Sequence, residues 1–173
     1  MTNISKPTTA CGWLDRYIGY VPDQNLASAL RNSAEKVVAR FGMMSHDQLQ
    51  FRYAEGKWSP QEILAHLIDS EQVFAYRAMR FSRRDATPLS GFDENDYVEA
   101  LRGSLPSVEK LLEGYKLQRS TSMLLFESMN DSMLDFEGTA NGNVMSARCL
   151  GFAIAGHDLH HLEVIAQRYL IGG

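Results

Sequence analysis

Three of the five histidines crowd into one short run near the C-terminal end: His157, His160 and His161. His157 and His161 are four residues apart, which on a helix points two imidazoles the same way about one turn apart. Two imidazoles so placed can share one metal ion, as in helical zinc sites. Spacing alone is weak support, because five histidines in 173 positions give ~0.14 such pairs by chance. Direction adds more. At ~100° per residue, Leu150, Ala153, Ile154, His161 and Val164 fall within about 60° of His157. The pair therefore lies in an apolar stripe, with His160 at its edge and Asp158 and Glu163 outside it. Imidazoles in a core are costly unless their nitrogens are used. One reading is metal ligation. The other is one histidine bonded to a neighbouring helix and one lining a small pocket.

Elements must hold these residues, and four stretches carry helical periodicity with their own punctuation. The first runs from about Asp23 to Phe41 and carries Leu26, Leu30, Ala34, Val37, Val38 and Phe41 on one stripe. Pro22 and Asp23 mark its start and Gly42 its end. The second opens on Ser59-Pro60-Gln61-Glu62, a capping box with proline at the first helical position, and continues to about Phe81. The third spans Ser107 to Met129. The fourth starts near Ser146 and runs to Leu170, stopped by Gly172-Gly173. Gly91 to Val98 reads as a loop with a short helix after it. Asn130 to Met145, containing Asn141-Gly142, reads as a turn-rich connection. No alternating strand pattern competes. The expected architecture is all-α: a four-helix bundle, one domain over 1–173, with longer loops before the third and fourth helices.

On the second helix His66 shares a face with Ile63, Ser70 and Val73, with Glu62 and Asp69 at the edges. A lone histidine there is more often a satisfied core residue than a ligand. Paired with an inward-facing couple on another helix, it becomes a third nitrogen converging on one point in a bundle core.

Composition removes several function classes. The 45% apolar and 22% charged content is that of a globular chain. A net charge of −4 offers no basic field for nucleic acid or an anionic membrane. The longest apolar run, Cys149 to Gly156, is far too short to span a bilayer. Cys11 and Cys149 are too few for a disulfide scaffold or a four-thiolate zinc site. Taken as unpaired, with a polar N-terminus, they suit a reducing cytosol, so the expected location is cytoplasmic. No phosphate loop, nucleophile elbow or dinucleotide fingerprint is present.

The segment from Lys57-Trp58-Ser59-Pro60 through His66 to Glu71 resembles the second-helix signature of the DinB/YfiT-like superfamily. Ala155-Gly156-His157-Asp158-Leu159-His160-His161-Leu162 is similar to that family's final-helix signature. The two motifs occur in the expected order and their spacing covers nearly the whole chain. The resemblance implies a four-helix bundle with a divalent metal held by His66, His157 and His161. It also implies a choice of reactions, since members include bacillithiol transferases and a mycothiol-dependent isomerase.

Three neutral imidazoles leave a dication its full charge and an open coordination position. Such a centre can activate a water or a thiol, so the expected activity is a transferase using a low-molecular-weight thiol, or a hydrolase, on a small-molecule substrate. Zinc leads, but nickel and manganese also accept imidazole. The alternative is a non-catalytic metal-binding stress or interaction protein. A second apolar stripe on the fourth helix, Phe152, Leu159, Leu162, Ala166 and Tyr169, points to cover by the long loops or to a homodimer interface.

The remaining residues receive no catalytic assignment. Asp69 or Asp158 could orient a ligand imidazole or be solvated. Trp58 is expected to brace a helix start, Arg83-Arg84 to end a helix in solvent, Cys149 to fill core, and His46 to sit in a surface turn.

Overall fold

The computed structural model describes residues 3–169. After a 3-10 turn at Gly12–Leu14, the elements are α1 (Asp15–Ile18), α2 (Leu26–Gly42), α3 (His46–Gln50), α4 (Pro60–Ser82) and α5 (Glu94–Leu101). They continue with α6 (Val108–Glu127), α7 (Asp131–Leu134), strands β1 (Glu137–Ala140) and β2 (Asn143–Ser146), and α8 (Ala147–Arg168). The expected bundle is formed by α2, α4, α6 and α8. Neighbouring pairs are α2 with α8, α8 with α4, α4 with α6, and α6 with α2. The successive long helices α2 and α4 therefore face each other across a diagonal.

Local chemistry sets the ends. Ser59 accepts from the Glu62 amide while Glu62 accepts from the Ser59 amide at 2.7 Å, so the expected capping box is formed. Glu62 also ion-pairs with Arg52 and Arg102, which tie the flanking segments to the start of α4. Asn25, not Asp23, caps α2 through the Ser28 amide. The helix thus begins later than expected, and Asp23 instead accepts from Asn32. The expected end of the fourth helix at Leu170, and its stop at Gly172-Gly173, lie outside the described residues.

Two expectations need correction. The connection before α8 is not only turns: β1 and β2 pair antiparallel, Glu137 opposite Ser146 and Ala140 opposite Asn143. Asn141 and Gly142 close the hairpin with φ of 49° and 72°, the left-handed pair favoured in two-residue hairpin turns. Strands of four residues, one containing Gly138, are too short to reveal alternation. Gly138 is required by close packing, since a Cβ there would collide with the Phe81 ring.

The second correction concerns the cysteines. Cys11 and Cys149 form a disulfide across 138 positions of sequence, tying the N-terminal segment to the first turns of α8. The cytosolic expectation leaned on two free thiols, and the pairing removes that support. Among the described residues, no helix is long and apolar enough to cross a membrane.

The core lies in two apolar clusters, one around Phe81, Phe126 and Phe152, the other around Phe41, Leu64 and Tyr115. Between them runs a polar layer to which every long helix contributes. Arg119 of α6 donates to both oxygens of Glu71, each at 2.9 Å, and to Asp158 Oδ2 at 2.7 Å. It also donates to the Leu30 carbonyl and Ser33 Oγ, so all five guanidinium protons are used. Tyr115 and Ser33 donate to the same Asp158 oxygen. Asp158 is thus neither solvated nor bonded to a ligand imidazole: one residue past His157, it points about 100° away.

The second stripe of α8 is covered by the chain itself. Part of the cover is the expected connection before α8, whose Leu134 and Met145 share a cluster with Phe152, and other elements supply more. α8 packs against α4, α2 and α1 together, and Phe152 joins the cluster containing Leu14, Ile18 and Val21. Tyr169 donates to the Trp58 carbonyl at 2.6 Å. What remains is a strip of Leu159, Leu162 and Ala166 beside Met43 and Met44.

Candidate metal centre

α4 and α8 are neighbours, and their inward faces bring His66 opposite His157 and His161. His157 Nε2 lies 3.2 Å from His66 Nε2 and 3.0 Å from His161 Nε2. All three ligand atoms fall within 4.8 Å of one another. A ring nitrogen offers one lone pair or one proton in its plane, so at most one of the two contacts at His157 can be a good hydrogen bond. Two imidazoles bound to one tetrahedral zinc at ~2.05 Å would have their nitrogens about 3.3 Å apart. The observed spacings fit that edge.

The electrostatics agree. Burial pushes all three imidazoles down from their usual pKa, His66 to about 4, with smaller contributions from the neighbouring histidines. Neutral rings with free lone pairs are what a divalent ion requires. Ser70 Oγ, one turn along α4, lies 3.4 Å from both ring nitrogens of His66 and can orient it. His161 Nδ1 is buried with no hydrogen-bond partner. The donor set fits a divalent ion, and no carboxylate joins it among the described residues.

Aromatic rings brace the trio. Trp58 stands 4.7 Å from His66 and Tyr17 stands 4.9 Å from His157, centroid to centroid. Trp58 was expected only to brace the helix start, yet it forms part of the cavity wall. The approach of Tyr17 depends on Gly156, where a Cβ would collide with the Tyr17 carbonyl.

A cavity of about 620 Å³ opens beside the histidines. The N-terminal segment contributes Trp13, Arg16, Tyr17 and Tyr20, and α4 contributes Ser70, Phe74 and Arg77. Phe92, Glu94 and the hairpin residues Asn141 and Asn143 complete the wall.

Other candidates fall elsewhere. His160 is half-buried at the rim, its Nδ1 3.4 Å from the Tyr20 hydroxyl. His46 is exposed, in the first turn of α3. Arg83 and Arg84 are exposed past the end of α4. Asp69 is half-buried, and burial raises its pKa. Sequence reasoning missed Arg16 and Arg77 and the whole N-terminal wall. The Trp13-Leu-Asp-Arg16-Tyr17 run was the available signal, an aromatic and basic cluster outside any long helix.

The DinB superfamily model matches residues 29–165, and the chain belongs to that superfamily. A protein of Oceanobacillus iheyensis named "putative metal-dependent hydrolase" is 27% identical over 128 residues, 72% of each chain. The structure of YfiT from Bacillus subtilis superposes with a TM-score of 0.69 at 19% identity, covering 94% of this chain and 92% of that one. YfiT is described as "a probable metal-dependent hydrolase with an unusual four-helix bundle topology".

Proposed function

We propose that this protein is a metal-dependent hydrolase of a small-molecule substrate, with His66, His157 and His161 holding one divalent ion. The observation that carries this reading is the convergence of three neutral Nε2 atoms at coordination spacing beside an open cavity. The names borne by the Oceanobacillus relative and by YfiT agree with it. A dication held this way supplies Lewis-acid activation of a water, or of a thiol, at neutral pH. The chain's residues do the rest. Ser70 and the rings of Trp58 and Tyr17 hold the imidazoles in place beside the cavity. Zinc is the favoured ion, with nickel and manganese compatible with the same donors.

Elemental analysis of the purified full chain should find stoichiometric metal, and alanine at His66, His157 or His161 should abolish it. Full retention by the His157→Ala and His161→Ala variants would overturn the assignment. A thiol transferase is the second reading, because three neutral imidazoles leave a dication the charge to stabilise a bound thiolate as well as a hydroxide. Turnover of electrophiles only when a low-molecular-weight thiol is added, with no ester or amide hydrolysis, would select it. A non-catalytic homodimer joined through the Leu159, Leu162 and Ala166 strip predicts metal without turnover, and sedimentation as a monomer would dismiss it.

A further inference from the structure

The described residues include three buried arginines: Arg77, Arg119 and Arg148. Arg119 holds Glu71 and Asp158, and Arg148 holds Asp131 and Asp135. Arg77 is different. It is 3% exposed, yet among the described residues no carboxylate lies within ion-pair distance of it. Its Nη2 donates to the Ser90 carbonyl at 3.0 Å, and its guanidinium lies 5.9 Å from the centre of the Phe92 ring. A buried cation without a counter-ion is unfavourable unless something else supplies the negative charge. Burial accordingly lowers its pKa, though a guanidinium stays charged at any physiological pH.

What could supply that charge is limited by where Arg77 sits, on the wall of the cavity that also holds the histidines. Trp13, on the same wall, has a buried indole N–H with no acceptor. Arg16 stands at the mouth, stacked 5.2 Å from Trp13 and 4.6 Å from Tyr17. Glu94 is exposed on α5 and pairs with neither arginine. Arg16 sits on the Tyr17 side near the imidazoles. Arg77 alone therefore places a buried positive charge farther along α4 from them, with the free Trp13 indole N–H on the wall between.

Arg77 follows His66 by eleven residues on α4, about 16 Å along the axis and nearly the same direction. Phe74 lies between them, its ring 6.1 Å from that of His157. We propose that the cavity takes an elongated substrate with a carboxylate at one end, bound by Arg77, and the reacting group at the other, held at the three histidines. The apolar middle of such a molecule would lie along Phe74 and Trp13. A carboxylate suits this end because the planar guanidinium fork matches it in two parallel hydrogen bonds. A phosphate dianion would want more than one buried cation.

This inference rests on the metal-centre reading for its reacting end only, and the test separates the two. Suberate monohydroxamate and its neutral carboxamide analogue both chelate zinc, but only the first carries a distal carboxylate. Calorimetry on the zinc-loaded full chain should find the acid about tenfold tighter, the equivalent of one charge-assisted hydrogen bond. In Arg77→Met that gain should vanish while the affinity of the carboxamide is kept. Equal affinities in the unsubstituted protein would overturn the proposal, whether or not Arg77→Met folds. A gain that survives Arg77→Met would overturn it as well. If neither hydroxamate binds, the metal reading fails, and octanoate against octanamide tests the arginine alone. Preference for octanoate supports the subsite, and no preference overturns it.

Discussion

At His66 the cost of burying a titratable ring becomes a measurable pH dependence. In the unfolded chain this imidazole takes a proton near pH 6.5, whereas folded it resists protonation down to about 4. The unfolded state therefore binds more protons across that window, and stability must fall as the pH drops through it. His66 alone accounts for about 3 kcal/mol between neutral pH and pH 4 in the metal-free protein. Urea unfolding of chelator-treated protein at stepped pH checks this, and a flat profile from pH 7 to pH 4 would contradict it. The inward direction of His157 and His161 was legible because a helix has a fixed period and apolar neighbours mark its buried face. Arg77 was not legible. Near the end of a helix rich in arginine it looks like any solvated side chain until the cavity wall closes around it. Asp158 misled for a related reason, since a carboxylate among histidines invites a role with them while its true partner, Arg119, lies 39 positions away in sequence.

The elements carry their own start signals, and those at α4 and α6 could be read directly: Ser59 and Ser107 cap as their positions demand. The polar layer linking all four long helices could not. Ser33, Glu71, Arg119 and Asp158 look unrelated in sequence and meet only when the bundle's order is known. That layer sets register, because sliding α4, α6 or α8 by one turn would strand a buried charge. Removing its centre should be severe. Arg119→Met leaves two buried carboxylates without a cation and should cost about 3–5 kcal/mol in denaturant unfolding. Replacing Glu71, Arg119 and Asp158 together with apolar residues should cost much less than the single substitution. Equal losses would show that the layer acts by packing and not by charge. The β1–β2 hairpin escaped for lack of length, although Asn141-Gly142 marked its turn.

Across the whole molecule, α8 has partners on nearly every side, and the N-terminal segment is the unexpected one. The Cys11–Cys149 disulfide holds that segment in place. Two cysteines so far apart in sequence give no hint of a 5.7 Å Cα separation, so the pairing could not be read from spacing. Closing so long a loop stabilises a fold by up to about 5 kcal/mol. Cys149→Ser, or reduction, should lower the unfolding free energy by a large part of that while leaving metal stoichiometry intact, because the proposed ligands belong to α4 and α8. A variant that loses its metal together with its disulfide would mean that the N-terminal segment is needed to hold the ligands in position. The segment's own contribution is the wall.

That wall has an optical consequence. The chain contains two tryptophans, and both border the cavity, Trp58 against His66 and Trp13 beside Arg16. No indole elsewhere dilutes their emission. Intrinsic fluorescence is therefore a direct gauge of what occupies the cavity: a paramagnetic ion at the histidines would darken Trp58, and a ligand along the wall would shift Trp13.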